Sequence, residues 1–249
     1  MLRLRGGGGV DVPIDERLSV QVVAAYSYAG YDFDDAAAFG GDEAWGGVST
    51  FQAAVSGRYQ LTEQWSVFGG LNGASAAEDA LDSSSFTGGG FAGAGYRVNE
   101  DLVISGGLSV VSQLEDDALV LPIFAVSWAI NDQWQLRGGA LDTGATEVVG
   151  VGVTYAFDEH VSVGGQVGYV LQRFRLDDSG FAPEGVGQDE RARAAVVVTW
   201  RERPGVEASL LGGVAFAGQL RAEDNDGDRV FEEDYDPALF LGARLALRF

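Results

Sequence analysis

The chain lacks cysteine and lysine, and its 249 residues include only one histidine and five prolines. The absence of cysteine excludes disulfides and thiolate metal sites. All sixteen basic residues are arginine, and 37 acidic residues outnumber them to give a formal net charge of −21. Because a phosphate backbone binds basic surfaces, this charge argues against nucleic-acid binding.

Long hydrophobic runs are also missing from the sequence. No stretch of about 18 consecutive apolar residues occurs, so no transmembrane helix is predicted. The hydrophobic content of 46% is nevertheless too high for a disordered chain. The 37 glycines follow no Gly-X-Y period, which excludes a collagen-like chain.

A five-residue pattern of apolar, any, acidic, any and apolar residues recurs along the chain. Its copies are Ile14–Leu18, Leu61–Trp65, Val98–Leu102, Ile130–Trp134 and Phe157–Val161. The flanking stretches alternate large apolar residues with small or polar ones, which is the two-residue period of a β-strand. The pattern therefore predicts tight turns between antiparallel strands.

The alternation predicts about twelve strands, each roughly nine to thirteen residues long, which is near the length that a tilted strand needs to cross a bilayer. Short connections are predicted at the last four copies of the pattern and at 202–205. They alternate with six mostly longer connections, at 29–46, 73–85, 114–118, 141–146, 174–189 and 222–236, which hold most of the acidic residues. Short turns on one rim and longer loops on the other are typical of outer-membrane barrels.

The two faces of the predicted strands differ in composition. The apolar face carries aromatic residues near the short turns, as expected where a barrel wall meets lipid headgroups. These predicted membrane-interface aromatics are Tyr59, Trp65, Tyr96, Trp128, Trp134, Tyr155 and Trp200. The other face is rich in Gly, Ser, Ala and Gln and is predicted to line the lumen. Larger residues on that face indicate a partly filled lumen: Val23, Phe68, Phe91, Val103, Leu121, Ile123 and Phe240.

Residues 1–13 leave two interpretations open. Their alternation would supply a thirteenth strand, whereas bacterial single-chain barrels normally have even strand numbers. No signal peptide is visible, because Met1–Arg5 is followed by four glycines instead of an apolar segment. One expectation is therefore a chain that lacks a signal peptide and a first strand, and the other is an ordinary N-terminal extension.

The C-terminal sequence Ala243–Phe249 alternates apolar residues and ends on phenylalanine. This resembles the last strand of Gram-negative outer-membrane proteins, whose terminal aromatic residue is part of the signal read by the barrel-assembly machinery. With the hairpin pattern, the resemblance spans nearly the whole chain, and it is nearest to functionally uncharacterised barrel families. It implies insertion in the bacterial outer membrane and assigns the assembly signal to Phe249.

The predicted fold is all-β: a single transmembrane antiparallel up-and-down β-barrel domain over residues 1–249. It has about twelve strands, or 13–14 if residues 1–13 belong to the wall. A soluble β-sandwich or propeller is the alternative, but the exposed face of a sandwich would be polar and charged. Here the small-polar face carries little charge, and the acids collect in loops. Closing the sheet also removes edges that a long apolar sheet exposes at risk of aggregation.

Several arginines share the lumen-facing parity, mostly close to the short turns. They are Arg58, Arg97, Arg137, Arg201, Arg244 and Arg248. A basic belt at this mouth would bias permeation toward anions. The alternative is structural, with the arginines paired to turn carbonyls or to acids such as Glu147 and Glu207.

The acidic connection 222–236 resembles a calcium loop in composition, with Asp224, Asp226, Asp228 and Glu233 as candidate ligands. Hard cations prefer several carboxylate oxygens around a glycine-permitted turn. An EF-hand is excluded, because aligning Gly227 with its invariant glycine puts Ala222 at the first ligand position. A looser Ca²⁺ site and a solvated acidic loop are the remaining interpretations.

Catalysis has little support in the sequence. His160 is the only histidine and lies in a predicted turn, where the pattern needs merely a polar residue. A Ser-His-Asp site would require a nucleophile and a third group beside it. We therefore predict no enzyme, although hydrolysis by a pair of acids stays open.

The leading functional prediction is a passive porin-like channel for small solutes, since about twelve strands enclose a narrow lumen. The alternative is a non-conducting structural or surface-binding barrel with acidic, cation-binding outer loops. The expected partners are the lipid bilayer, lipopolysaccharide and the barrel-assembly machinery.

Overall fold

The computed structural model describes residues 2–32, 45–78, 81, 83–142, 147–180, 182–202 and 205–247. The strands are β1 (Leu2–Pro13), β2 (Leu18–Gly30), β3 (Gly47–Gln60), β4 (Trp65–Ala77), β5 (Phe86–Arg97), β6 (Leu102–Gln113), β7 (Asp116–Ala129), β8 (Trp134–Asp142), β9 (Glu147–Ala156), β10 (Val161–Arg175), β11 (Val186–Glu202), β12 (Val206–Glu223), β13 (Arg229–Tyr235) and β14 (Ala238–Leu247). One 3-10 turn, Ser83–Ser85, precedes β5. Among the described residues, no helix has the length and apolar character needed to cross a membrane.

All fourteen strands belong to one sheet, in which sequence neighbours pair antiparallel from β1 to β13. β13 pairs with the C-terminal part of β12 and β14 pairs with its N-terminal part. The two strands thus lie end to end along β12, with Asp236 and Pro237 between them. A parallel bridge between Ala77 of β4 and Arg175 of β10 closes β4 to β10 into a seven-strand ring. The other seven strands continue on both sides of the ring. The prediction of an all-β, up-and-down barrel is confirmed.

Residues 2–13 are part of the wall. β1 pairs with β2 through twelve residue pairs, from Leu2 opposite Gly30 to Pro13 opposite Ser19. The prediction of a wall strand is therefore confirmed, and the interpretation as a loose N-terminal extension is wrong. β1 and β14 are the outer strands of the sheet, and both run toward the short turns.

The strands extend further than the alternation predicts. The predicted connection 174–189 is six residues shorter in the structure, where it spans 176–185, because β10 continues to Arg175 and β11 begins at Val186. The predicted connection 222–236 contains β13 and is a hairpin. Alternation of apolar and polar residues indicates which side chains are buried, whereas strand pairing depends only on backbone N–H and C=O groups. Where both faces of a strand carry polar residues, the backbone hydrogen bonds therefore continue beyond the last alternating apolar residue.

The five copies of the repeated pattern form the turn rim of the barrel, defined as residues 14–17, 61–64, 98–101, 130–133 and 157–160. In each copy, the side chain at the second position accepts hydrogen bonds from the backbone N–H groups of the fourth and fifth residues. The acceptors are Asp15 (2.7 and 2.9 Å), Thr62 (3.2 and 3.0 Å), Asn99 (3.0 and 2.8 Å), Asn131 (2.9 and 2.9 Å) and Asp158 (2.7 and 2.8 Å). Short Asp, Asn and Thr side chains form such turns because they reach their own backbone. The second position, which the sequence pattern leaves free, is therefore the one that closes the turn.

The acceptor in two of these turns titrates, and this predicts a pH response. Hydrogen bonds from the His160 and Val161 N–H groups lower the pKa of the Asp158 carboxyl. Because that pKa is lower in the folded chain, the turn's contribution to stability is complete above the unfolded-state pKa and is lost as pH falls through the folded-state value. In an NMR titration, the His160 and Val161 amide shifts should move with an inflection below that of a free aspartate.

The matched control for this titration is the turn closed by Asn131, whose amide does not ionise. The amide shifts of Gln133 and Trp134 should show no inflection below that of a free aspartate, because their acceptor carries no ionisable group. An inflection at the ordinary aspartate value for Val161 would contradict the prediction.

The outer face of the sheet is apolar and exposed. Phe124 is 74% exposed and Leu241 88% exposed, while small inner residues such as Ser162 and Ala195 are buried. Two stacked sheets would bury the large apolar side chains between them. A single sheet with its large residues outside is the reverse arrangement, so the β-sandwich interpretation is wrong.

Glycines on the inner face make room for aromatic rings. A Cβ atom on Gly93 would collide with the ring of Phe68, and one on Gly70 with the ring of Phe91. The two rings lie 6.4 Å apart between centroids. Packing of aromatic rings over cross-strand glycines covers backbone that glycine leaves bare. The lumen is therefore partly filled at this level.

Candidate functional site

A group of apolar side chains is buried at the end of the barrel opposite the turn rim. We call this group the loop-rim plug; it consists of Trp45, Val48, Ala76, Phe174, Leu176, Ala182 and Ala222. Trp45 is 1% exposed and Phe174 is fully buried, and their rings meet edge to face with centroids 5.3 Å apart. Val48 lies on β3 beside β4, and Phe174 directly precedes Arg175 on β10. The plug therefore lies at the seam where Ala77 of β4 meets Arg175 of β10.

A buried carboxylate lies at the centre of a polar group next to the plug, which we call the Asp189 cluster: Arg3, Tyr31, Asp189, Arg191 and Tyr235. Arg3 donates to Asp189 Oδ2 at 3.0 Å and the Tyr31 hydroxyl donates to the same oxygen at 2.8 Å. Arg191 also donates to Oδ2, and the Tyr235 hydroxyl donates to Oδ1 at 3.2 Å. Four donors from four different parts of the chain thus satisfy one carboxylate that is 1% exposed.

The surroundings of the Tyr31 hydroxyl favour its protonated form. Burial, followed by the adjacent Asp189 carboxylate, raises the pKa of the Tyr31 phenol. The phenol therefore stays protonated and donates its hydrogen bond over the whole physiological pH range. Its ring also packs against Trp45, with centroids 5.8 Å apart, which couples the cluster to the plug.

A β-bulge in β12 lies opposite Arg191, one of the residues of the Asp189 cluster. The register of β11 against β12 shifts between Glu190 and Ala192, and Ala217 on β12 has a φ of 48°. An extra residue in one strand bends it and redirects neighbouring side chains. The bulge lies opposite Arg191, next to the break between β13 and β14.

Further ion pairs tie the same rim together. Arg173 on β10 donates to Glu223 on β12 at 2.7 Å and to Gln188 on β11 at 2.8 Å. Arg175 donates to Glu115, between β6 and β7, at 2.6 Å and to the Ser84 carbonyl at 2.9 Å. These contacts hold the loop rim in one arrangement.

The predicted basic belt is dispersed in the structure. Arg58, Arg97 and Arg137 are exposed and stand on β3, β5 and β8. Arg201 donates to Glu207 at 2.9 Å, and Arg244 lies 3.9 Å from the same carboxylate. Arg248 lies outside the described residues, as does the side chain of Glu147. Two of the six arginines therefore share an acid, and a belt that selects anions stays a prediction.

The predicted interface aromatics lie on the outer face near the turn rim. Trp65 and Tyr96 form a cross-strand pair with ring centroids 4.8 Å apart, and Trp134 and Tyr155 form another at 4.9 Å. The remaining three, Tyr59, Trp128 and Trp200, are exposed. Such cross-strand aromatic pairs stabilise a sheet as well as suiting an interface.

The predicted calcium loop is a tight hairpin. Asp224 Oδ1 accepts the N–H groups of Asp226 and Asp228 at 3.0 and 2.9 Å, and the Gly227 N–H donates to the Asp224 carbonyl. In the described part of the chain, no three His, Asp or Glu side chains gather around a point where a metal ion would fit. Asp224 thus closes the turn, and Glu233 lies on β13; calcium binding here stays a prediction.

His160 has a structural role in its turn. Its N–H donates to Asp158 at 2.7 Å, and its carbonyl accepts the Arg201 N–H at 2.8 Å. The predicted assembly residue Phe249 lies outside the described residues.

Sequence reasoning missed Asp189, Arg191 and Arg193: Asp189 fell in the predicted connection 174–189, and the two arginines were not included among the predicted lumen-facing arginines. The signal is present, since these charged residues continue with a two-residue period into the inner face of β11. Their spacing places all three side chains on the lumen side.

Comparison with known proteins adds little beyond the architecture. No protein-family model and no curated protein matches the chain. Among solved structures, a mutant (G324V) of the ferric enterobactin receptor PfeA from Pseudomonas aeruginosa matches 99% of the chain at 9% identity, with a TM-score of 0.27. The chain spans 62% of the length of that receptor.

Proposed function

We propose that the protein is an outer-membrane β-barrel whose lumen is closed at the loop rim. The exposed apolar outer face supports membrane insertion, because large contiguous apolar surface is rare on soluble proteins. The aromatic residues beside the turn rim fit the headgroup level on one side. The repeated short turns fit the periplasmic side of such a barrel.

The loop-rim plug is the observation that carries the closed state. It places buried aromatic rings at the seam between β4 and β10, and the Asp189 cluster adds a second layer of hydrogen-bonded side chains beside them. A solute would have to displace both layers to pass. The structural or surface-binding role is therefore favoured over a passive channel in this conformation.

A porin-like channel for small solutes is the second candidate. It is favoured by the small residues on the inner face near the middle of β9 to β12, such as Gly150, Gly168, Ala195 and Gly213, which carry no large side chain into the interior. Conduction past these residues requires the plug to open.

Reconstitution in planar bilayers distinguishes the two candidates. The wild-type protein should produce no steady open-channel current at moderate voltage, because the plug fills the loop rim. A bilayer treated with detergent alone gives the baseline. Stable stepwise currents from every inserted wild-type molecule would support the porin and overturn the closed barrel.

The proposed partners follow from the same location. The apolar face would contact the bilayer, and the acidic outer hairpins would face lipopolysaccharide through divalent cations. Calcium titration with the amide shifts of Asp226 and Asp228 as the readout would test this role. No catalytic activity is proposed.

A further inference from the structure

A groove crosses the outer face of the barrel from the turn rim to the middle of the wall, and we call it the outer groove. Its mid-wall part has a volume of about 730 Å³, and the part beside the turn rim has a volume of about 400 Å³. Both parts are lined by Val153, Gly165 and Val196, so they form one continuous depression. The walls include Val151 and Val167, which are exposed on the apolar outer face.

Two glycines open the outer groove on either side of Val196. The strand register places Gly165 of β10 and Gly212 of β12 directly opposite Val196 of β11. A Cβ atom on Gly165 would meet no atom within 4 Å, and one on Gly212 would make only ordinary van der Waals contacts. On the inner face, by contrast, a Cβ atom on Gly213 would collide with Ala195 and with the Phe240 ring. The open space therefore lies on the outer side of the wall.

Aromatic rings border the end of the outer groove at the turn rim. Trp134, Tyr155 and Phe157 line this end, and the Tyr155 ring lies 4.9 Å from each of the other two between centroids. Trp and Tyr side chains favour the headgroup level of a membrane. In a barrel inserted as proposed above, the groove would thus lead from the headgroups into the hydrocarbon.

The surface chemistry of the outer groove fits a hydrocarbon chain. Of the described residues that line it, only Gln166, Trp134 and Tyr155 have polar side-chain atoms, and the others are Val, Gly, Ala, Leu and Phe. An occupant without polar groups is therefore preferred. In a bilayer, such an occupant is held by close packing, because each added carbon–carbon contact contributes a small dispersion energy.

The charge beside the aromatic end narrows the choice of lipid. The two turns that border it carry Asp132, Asp158 and Glu159. Like charges repel, so these turns disfavour an anionic headgroup and favour one that carries a positive amine beside its phosphate.

We propose that the outer groove holds one acyl chain of a zwitterionic phospholipid from the leaflet at the turn rim. The chain enters past Trp134 and Tyr155 and lies over Gly165 and Gly212, with its headgroup at the level of the turns. This inference rests on the proposed membrane insertion. It goes further by assigning one fixed lipid to a defined part of the wall.

Photo-crosslinking in phosphatidylcholine vesicles tests the proposal. The vesicles contain a trace of phosphatidylethanolamine with a diazirine in the middle of one acyl chain. Mass spectrometry should find at least about fivefold more label on 163–167 and 194–196, which line the groove, than on 120–126 of β7, because the groove contacts the chain on several sides. The same diazirine chain on phosphatidylglycerol should label the groove less, and equal labelling would overturn the zwitterionic headgroup.

Gly165→Leu fills the outer groove without displacing atoms around its Cβ, so label on 194–196 should fall to the level of 120–126. Gly165→Ala adds a single methyl group and should lose less label. Gly8→Leu is the matched control: Gly8 lies on β1, and a Cβ atom there also meets no atom within 4 Å. This control should keep the wild-type labelling.

Flotation of the barrel with the vesicles reports insertion separately. A barrel that floats but is labelled evenly over its outer face would overturn the lipid site alone, and so would unchanged labelling of Gly165→Leu or an equal loss in Gly8→Leu. Cross-linked dimers with an unlabelled groove would assign the groove to a second copy of the chain and overturn the acyl chain. A barrel that does not float would overturn the proposed function, and the lipid site with it.

Discussion

Asp189→Asn is expected to lower the free energy of unfolding by about 3–5 kcal/mol, the range for breaking a buried charge pair by removing one partner. The asparagine keeps the size of the side chain but removes the charge. Arg191 is buried and Arg3 largely so, and both would lose the carboxylate that offsets their desolvation. The loss would show as a lower denaturant midpoint in urea titrations of the barrel reconstituted in lipid vesicles.

Asp177→Asn is the control for this substitution. Asp177 lies in the connection after β10 and accepts from the Ser179 N–H and hydroxyl at the exposed rim. It should change the midpoint by a small fraction of the effect at Asp189, since exposed interactions contribute little. If both variants unfold at the wild-type midpoint, the Asp189 cluster does not hold the loop rim closed.

Phe174→Ala is expected to remove about 3–5 kcal/mol of stability, the usual cost of truncating a buried phenylalanine. The ring contacts Trp45 and Tyr31 and covers Gly187, where a Cβ would collide with it. The cavity would lie at the seam between β4 and β10, so the plug should loosen as a unit. We therefore also expect transient currents across planar bilayers that the wild type does not produce.

Phe124→Ala is the matched control, because it removes the same atoms from the exposed outer face. Phe124 is 74% exposed and leaves no cavity. Its unfolding midpoint should stay close to the wild type, and it should carry no current. If Phe174→Ala carries no current across the bilayer although its denaturant midpoint is lowered, the Asp189 cluster alone keeps the lumen closed.

The wall of the barrel could be predicted because its signal is local. Alternation along stretches such as Leu102–Val110 sets the face of each side chain, and the repeated turns set which strands are neighbours. The order β1 to β12 follows from these two facts alone. The turn acceptors, such as Asn131, occupy the second position of each copy, which the repeated pattern leaves unspecified, whereas the acidic third position defines the pattern without closing the turn.

The loop rim could not be predicted in the same way. Trp45 and Phe174 are 129 positions apart, and nothing in the sequence around either residue indicates that they meet. From the sequence alone, Asp189 is one of many acidic residues in predicted loops; its position on a strand follows only from β11 beginning at Val186. These contacts depend on how the wall curves, and that curvature is a property of the whole sheet.

The contrast between wall and plug has a consequence for the order of assembly. Almost every strand pairs with its neighbour in sequence, so each hairpin closes a short segment of chain at a small entropic cost. The plug brings together residues that are far apart along the chain, and such contacts form slowly. Barrel formation should therefore proceed from hairpin to hairpin, and the contacts at the loop rim should form last, after the wall is complete.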